Sequence, residues 1–484
     1  MQNLILVHSE IYAYQKNIIE TLIKNSEVLI ALFIVAGQPK PYKDNPLTLG
    51  IDKRFFQSKI KATEKYDLEH LIKAWPQVTL LREAAGLDFN CIINLADSPV
   101  RDLNIGSFKE VLKPDIDPQN WFSAAMHHKK YTNIRLLSAD KEPDHFKTCR
   151  QLSLRTIKGI YNNRDKALYY FSYLISGYFK RANYPFFHTK PYKYNVLCLF
   201  IYYLGLITEI FLRRGRSILY KFNWKIATIT NNTVTFLDQP KNTFWADPFI
   251  VSEAGKKWVF FEELDRKSDL GHISVVALEE HNKIGIHQKV LQKSFHLSFP
   301  NVFKVGASYY MLPEQSSANR LVLYKSTNFP YTWEEHKVLI DNMKIIDPVW
   351  LLHDNKYWLF FNKIEEHEYE NNERLYIYYA DDLFSSNWKP HKMNPVIIDI
   401  PKARNAGQFF TKNGEIFRPS QNCGETYGSE ITINKVVKLT VEEYEEIEVE
   451  KLRNEESYYG MHTVNEAGGV TVTDFLFKER NYKR

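Results

Sequence analysis

WADPFIVSEAGKKWVFFEE (Trp245–Glu263) and IIDPVWLLHDNKYWLFFNK (Ile345–Lys363) repeat one pattern. Each passes through Asp-Pro, runs as a short apolar strand, turns at Gly or Asn, and returns as a strand heavy in aromatics. Asp is a poor strand residue, and an acid set among aromatics costs free energy unless it is paired or used. Asp and Pro also suit turns, so a lone copy would read as a turn and nothing more. It is not alone. SFPNVFKVGASYYMLPEQ (Ser298–Gln315), NAGQFFTKNGEIFRPSQ (Asn405–Gln421) and the weaker GMHTVNEAGGVTVTDFLF (Gly460–Phe477) keep the same order of features. The segments that follow also match, with Tyr324 beside Tyr378, Trp333 beside Trp388 and His336 beside His391. With Asp247, Pro300, Asp347, Gly407 and His462 as anchors, the intervals are 53, 47, 60 and 55 residues by subtraction. Periods near 50 with about four strands each are the signature of β-propeller blades. Residues 223–484 are therefore expected to form an all-β, five-bladed propeller.

In such a fold the innermost strand of each blade lines a central channel. Residues at corresponding strand ends then gather at one mouth, although they are distant in sequence. Asp247 and Asp347 open the first strands of blades one and three, Glu314 ends the second strand of blade two, and Glu262 and Glu263 take the matching place in blade one. Clustered carboxylates suit glycosidic chemistry, in which one acid protonates the leaving oxygen and another acts as base or nucleophile. Crowding raises one pKa above its neighbours, so the two roles can separate. His296, Ser298, Arg404, Gln408, Arg418, Gln421 and His462 sit at other strand ends, where they would hold sugar hydroxyls, carboxylates or a phosphate. For Arg418 and His462 a hydrogen bond between blades is an equal alternative.

The chain has 484 residues, with 44% hydrophobic and 25% charged content, as in an ordinary folded protein. Its 14% aromatic content, carried by 30 Tyr and 31 Phe, suits β-structure and stacking on sugar faces. The net charge of +6 comes without a dense basic block, which sets nucleic acid aside as a partner. Cys91, Cys149, Cys198 and Cys423 are widely spaced, so neither a disulfide framework nor a metal site is expected. The N-terminus carries an early Glu and no basic n-region, and is not read as a signal peptide. A cytoplasmic location follows as the expectation.

Residues 1–150 alternate short apolar runs (NLILVHS, VLIALFIVA, FNCIINLA) with helical periodicity (IYAYQKNIIETLIKN, NWFSAAMHHKKY). Alternation of this kind implies an α/β domain with a mostly parallel sheet. No GxGxxG is present, so a dinucleotide fingerprint is lacking. Residues 151–222 read as a helical, basic and aromatic connector. Within it, the apolar run Val196–Thr208 is too short to span a bilayer, which needs roughly 20 residues. Residues 191–216 are then either a buried linker helix or a helix lying on the inner membrane face, with Arg213, Arg214 and Arg216 near lipid phosphates.

The propeller half resembles glycoside hydrolase family 43 and its relatives. The resemblance implies a general base at Asp247 and, at Asp347, an acid that tunes the general acid's pKa. Blade four has RPSQ in place of that family's acidic Glu, and Glu314 is the substitute. This departure turns the reading away from simple hydrolysis. A closer resemblance covers nearly all of residues 223–484. The order ADPF, FFEE, HLSFP, MLPE, DP, AGQFF, RPSQ, YG, HT is similar to the N-terminal domain of plant glucosamine inositolphosphorylceramide transferase and its bacterial relatives. In bacterial relatives such a propeller follows a formyltransferase-like domain, which residues 1–150 resemble more loosely. GSFKEVLKP lacks the His that those enzymes use, and SADKEPDHF lacks their Asp-x-Gly, although Asp140 and Asp144 lie nearby. The resemblance thus implies a degenerate domain that uses no folate. The implied function is glycosyl transfer in glycan or glycolipid assembly, with a saccharide or glycolipid substrate. A nucleotide-sugar donor stays open. A glycosidase and a non-catalytic sugar-binding or scaffold module are the alternatives.

Overall fold

The computed structural model describes residues 2–24, 29–39, 49–50, 52, 61–81, 83–140, 145–187, 196–231, 233–240, 243–265, 270–279, 284–365, 368–452 and 458–480. Asp144 lies outside them, as do the side chains of Arg213 and Arg216. The chain divides into two compact units, Met1–Glu209 and Ile210–Arg484.

The first unit is α/β. Its strands are β1 (Gln2–Val7), β2 (Glu10–Tyr12), β3 (Ile30–Ile34), β4 (Lys65–Asp67), β5 (Thr79–Leu81), β6 (Phe89–Asn94), β7 (Phe108–Pro114), β8 (Tyr131–Ala139) and β9 (Lys147–Arg155). Seven of them form one sheet in the order β5-β3-β1-β6-β7-β8-β9. The pairs from β5 to β7 are parallel, and β8 and β9 close the sheet antiparallel. The fully apolar runs became the central strands because both their faces are covered. Helices α1 (Ala13–Lys24), α2 (Leu68–Ile72), α3 (Gln119–Met126) and α4 (Ile160–Phe179) accompany it. The boundary expected at residue 150 falls inside β9. The α4 helix is not part of a free connector either, since its buried Lys166 ammonium donates to the Arg155 carbonyl of β9 (3.0 Å).

Helix α5 (Val196–Leu219) runs across the division between the units. Tyr202, Tyr203 and Leu206 are buried against Ala125, Met126 and Ile160. Leu197, Phe200, Ile201, Leu204, Ile207, Phe211 and Leu212 form the opposite, exposed face. Among the described residues no helix is long and apolar enough to cross a membrane.

The second unit is a five-bladed propeller, each blade one antiparallel sheet. The first strands, β10 (Tyr220–Thr230) and β11 (Thr233–Phe236), are the outer half of blade five. Blade one is β12 (Phe244–Glu253), β13 (Lys256–Asp265), β14 (Leu270–Leu278) and β15 (Ile284–Leu291). Blade two is β16 (Ser298–Val305), β17 (Ser308–Glu314), β18 (Arg320–Asn328) and β19 (Thr332–Asp341). Blade three is β20 (Lys344–His353), β21 (Lys356–Ile364) and β22 (Arg374–Ala380), edged by β23 (Lys389–Pro390) and β24 (Ile397–Ile398). Blade four has a split inner strand, β25 (Arg404–Asn405) and β26 (Phe410–Lys412), then β27 (Glu415–Asn422), β28 (Glu430–Leu439) and β29 (Tyr444–Leu452). The inner half of blade five is β30 (Val464–Ala467) and β31 (Val470–Arg480). β31 pairs with β10 over ten residues, Tyr220 to Ile229. The ring is thus closed by hydrogen bonds between the two ends of the propeller, which removes an open sheet edge.

Aromatic second strands supply the cores between blades. Phe260 and Trp258 meet Met311, Tyr324 and Trp333 between blades one and two. Leu312 and Leu323 meet Phe361 and Trp388 between blades two and three. Each fully buried Leu, Met or Phe among them contributes roughly 1.5–3 kcal/mol relative to exposure.

Candidate functional site

The Asp-Pro repeat turns out to be a bulge inside the inner strand. β12 begins before Asp247, and its pairing with β13 jumps from Ala246 to Phe249. β20 jumps from Ile346 to Val349, and β16 from Ser298 to Asn301. Asp247, Phe299 and Asp347 all have positive φ (53°, 47° and 43°). An Asp tolerates this left-handed conformation and a Pro needs no ladder partner, which explains the dipeptide at a bulge. The equivalent of Asp247 in blade two is therefore Phe299, one place before the anchor expected from the repeat. Bulges re-aim side chains, and here they turn two acids toward the same end of the channel.

Blades one and five meet at Asp247. Thr463 Oγ1 donates to Asp247 Oδ1 at 2.7 Å, and His462 Nε2 lies 3.4 Å from the same oxygen. His462 Nδ1 pairs with Asp474 Oδ2 at 2.7 Å. Asp474 also accepts the backbone N–H groups of Asp247, His462 and Thr463 at 2.9, 3.1 and 3.0 Å. Trp224 stacks on the His462 ring at 3.9 Å. Gly428 has a φ of +59°, and a Cβ there would come within 2.8 Å of the His462 Cβ. The YG dipeptide thus packs on the histidine, with Tyr427 edge-on to it at 5.4 Å.

Blades two, three and four meet at Asp347. Its backbone N–H donates to Glu314 Oε2 at 3.2 Å, and Ser316 Oγ donates to Glu314 Oε1 at 3.0 Å. Arg404 Nε and Gln421 Nε2 both donate to Asp347 Oδ2, at 2.6 and 3.0 Å. Arg404 Nη1 donates to Asn372 Oδ1 at 3.0 Å. Its guanidinium lies 5.0 Å from the centre of the Tyr427 ring. Arg404 Nη2 meets no protein acceptor among the described residues.

Electrostatics separates the acids. Burial, reinforced by Asp347, pushes Glu314 from an ordinary 4.5 up to about 8, against the pull of Arg404. Burial likewise pushes Asp247 from 3.8 up to about 7, with His462 opposing and Asp347 and Glu262 reinforcing. Burial alone would discharge His462, but Asp474 and Asp247 hold its pKa at about 9. At neutral pH Glu314 is mainly a proton donor, Asp247 is near half ionised, and His462 is a cation. Asp247, His462 and Asp474 have ligand atoms all within 4.8 Å of one another, a spacing that could hold a metal ion. Three backbone N–H groups and an imidazolium already fill Asp474, so a proton suits this trio better than a cation does.

Of the residues expected at the mouth, Asp247, Glu314, Asp347, Arg404, Gln421 and His462 come together. Glu262 joins them through its interaction with Asp247. His296 stands at the rim with a side chain 38% exposed, its Nε2 lying 3.1 Å from Glu262 Oε1. Its Nδ1 accepts from Gly271 N–H at 3.0 Å, so Nε2 carries the proton that Glu262 receives. Ser298 is buried and pairs across the ladder with Glu314.

Three expectations are corrected. Glu263 points to the other face of blade one, because alternate strand residues face opposite ways. It accepts from Ser274 Oγ and lies 2.9 Å from His287 Nε2; these bonds, with His272, hold its pKa at about 2 against burial. Arg418 is fully buried and doubly bonded to Glu446 at 2.8 and 2.7 Å, which makes it a structural residue. Gln408 ties blades together, donating to the Trp350 carbonyl and accepting from Asn301 Nδ2, both at 2.9 Å.

Asp474, Thr463, Asn405 and Tyr427 were missed. An acid inside the apolar strand TVTDFLF was the available signal for Asp474.

The class defined by fold and site is a five-bladed propeller with buried acids, an arginine and a histidine at one end of its channel. Residues 221–470 match the family described as glucosamine inositolphosphorylceramide transferase 1, N-terminal, and the chain belongs to that family. It is 35% identical over 256 residues to glucosamine inositolphosphorylceramide transferase 1 of Oryza sativa subsp. japonica, covering 52% of this chain and 34% of that protein. Identity to the Arabidopsis thaliana protein of the same name is 34% over 227 residues, covering 46% of this chain and 29% of that one. The chain thus spans about a third of the length of the curated relatives it matches. Among solved structures it is similar to Zg3597, a family 117 glycoside hydrolase of Zobellia galactanivorans, at 10% identity and a TM-score of 0.38, covering 53% of this chain and 90% of that one. RS223 β-xylosidase is similar at 10% identity and a TM-score of 0.38, covering 50% and 94%. Likenesses at these scores carry no weight for the site.

Proposed function

We propose that the propeller carries out glycosyl transfer in glycan or glycolipid assembly, with the mouth acids as its catalytic groups. The observation that carries this reading is the pair of displaced acids at one site, Glu314 at about 8 and Asp247 at about 7. A general acid and a general base work best with pKa values near the operating pH. Glu314 gives its proton to the departing oxygen, and Asp247 takes the proton of the incoming acceptor hydroxyl. Burial, reinforced by Asp347, keeps Glu314 protonated, and Arg404 Nη2 holds a substrate oxygen. Membership of a family named for a glycolipid transferase supports the substrate class. In this reading the first unit transfers no formyl group.

The exposed apolar face of α5 supports work at a lipid surface, and exposed Arg214 supports an anionic one. Cysteines that form no disulfide among the described residues are in keeping with the cytoplasmic side. Flotation with anionic vesicles, lost in Phe200→Asp/Leu204→Asp, tests that contact; unchanged flotation of the variant would remove it.

The catalytic test is incubation of the full chain with a panel of nucleotide-sugars and glycolipid acceptors, beside Asp247→Asn and Glu314→Gln. Transfer that both variants abolish is the expected outcome, and transfer unchanged in either overturns the assignment. Release of free sugar instead would assign hydrolysis. One observation favours a second reading: about two thirds of the rice relative's length lies outside the matched region. A sugar-binding module would bind a glycan without turnover.

A further inference from the structure

Blades four and five do not close on each other completely. Between them lies a cleft of about 690 Å³ whose lining includes Phe410, Ile433, Leu452, Met461, Val464 and Phe475. It occurs at the blade whose inner strand is split, with residues 406–409 outside both β25 and β26. The volume is that of a small-molecule site, which typically measures about 300–1,000 Å³.

Three features define what would fill it. The lining is mainly apolar, with Ile433, Met461 and Phe475 buried, while the charged residues that join it, Glu450, Lys451 and Glu466, are exposed. The two amides that line it are committed elsewhere: Gln408 to the Trp350 carbonyl and Asn301, and Asn465 to the Pro248 carbonyl (2.8 Å) and the Gln408 N–H (2.8 Å). A polar ligand would therefore lose its water without gaining bonds from these amides. The cleft also reaches beyond the two blades, since Phe249 and Ile250 of blade one and Val302 of blade two join its lining.

The same wall borders the acid site. His462 and Thr463 contact Asp247, whereas their neighbours Met461 and Val464 line the cleft. We propose that the cleft binds a single alkyl chain, so that an amphiphile places its sugar at the mouth and its tail between blades four and five. The sugar half of this statement rests on the function proposed above; the alkyl half stands on the cleft alone.

Titration of the full chain with a dansyl-labelled undecanoic acid, read by dansyl emission, tests the alkyl half. The expected result is a saturable rise, reversed by dodecyl maltoside below its micelle concentration but not by maltose. Ile433→Phe/Val464→Phe fills the cleft and should weaken the probe at least about tenfold, a change of about 1.4 kcal/mol. Two enlarged core side chains carry a stability cost, so Thr471→Trp, on the half-buried edge, is the companion variant. No saturable rise in the parent chain overturns the proposal, as does undiminished affinity in whichever of the two variants melts cooperatively. Glu314→Gln separates the two readings. Loss of transfer with probe affinity intact supports both, and intact probe affinity with no transfer in the parent chain overturns only the catalytic one.

Discussion

Arg404 and Arg418 leave the same blade and each pairs with a buried acid, yet they end in opposite circumstances. Arg418 is saturated: Glu446 takes two of its nitrogens, the Asn405 side chain takes Nη1 at 3.0 Å, and the Lys402 carbonyl shares Nη2 at 2.7 Å. Tyr444 donates to the same Glu446 at 2.5 Å. Arg404 has one bond to Asp347, one to Asn372, a nitrogen without a protein acceptor among the described residues, and a side chain that is 10% exposed. What distinguishes the two ion pairs is the number of donors left unfilled, since residue type and burial are nearly the same. A saturated pair stabilises the fold, and an unsaturated one at a channel mouth has capacity left for a ligand.

Breaking the saturated pair should give the largest effect. Arg418→Met leaves Glu446 buried without its cation, which costs about 3–5 kcal/mol. Denaturant unfolding should show this as a lower midpoint for the propeller. Arg404→Met leaves Asp347 with the Gln421 amide and removes an arginine that is already 10% exposed and makes fewer bonds, so its cost should be smaller, about 1.5–3 kcal/mol for hydrogen bonds to a charged group. Equal losses in the two variants would break the comparison, since both pairs would then be structural.

The next effect concerns the acid that Asp347 and Arg404 share. Glu314→Gln should reduce transfer by roughly 10²–10⁴-fold, the usual contribution of a positioned proton donor. In the parent chain the rate should rise as Asp247 ionises near 7 and fall as Glu314 loses its proton near 8, giving a narrow bell. Stability should follow the same groups. Glu314 is raised from 4.5 to about 8 on folding, so its contribution is complete below 4.5 and is lost as pH rises through 8. Asp247, raised to about 7, and His462, raised to about 9, lose theirs in the same direction. The melting temperature should therefore fall from about pH 4 to about pH 9, and Glu314→Gln should flatten that slope. Glu263, lowered to about 2, acts oppositely: its contribution holds above 4.5 and disappears as pH falls through 2. A slope unchanged in Glu314→Gln would mean that the carboxyl is not the group being titrated.

The propeller was legible because aromatic second strands and turn residues recur at a blade-length interval, and packing between blades forces that recurrence. Asp247, Asp347 and Glu314 were legible for the same reason, as acids at recurring places in the repeat, although Asp247 and Asp347 lie at bulges inside their strands and not at strand starts. Three things were not. The side to which a residue points depends on register, so Glu262 and Glu263 looked alike although one faces the mouth and the other faces His287. The saturation of Arg418 depends on Glu446, two strands away in the sheet, which no local pattern reveals. Asp474 sits in a strand that reads as core, and its importance arises from two N–H groups of its own blade and a third, that of Asp247, brought from blade one.

The smallest effect sharpens the comparison most, because each arginine has its own tyrosine. Tyr427 lies over Arg404 and is 42% exposed, whereas Tyr444 is buried beside Arg418 and Glu446. If Arg404 holds a sugar as proposed, the exposed ring beside it can stack on the sugar face, worth about 0.5–1.5 kcal/mol for aromatic contacts of this kind. Tyr427→Ala should therefore weaken glycan binding about two- to tenfold with little change in melting, and Tyr427→Phe should restore it because the ring is kept. Tyr444→Ala should do the reverse, lowering the melting temperature by removing a buried ring while glycan affinity holds in the folded protein. Isothermal titration with the preferred glycan, paired with thermal melts of all three variants, reads both quantities. If Tyr427→Ala lowers melting as much as Tyr444→Ala and leaves binding intact, the mouth is as closed as the Arg418 site, and Arg404 has no ligand to hold.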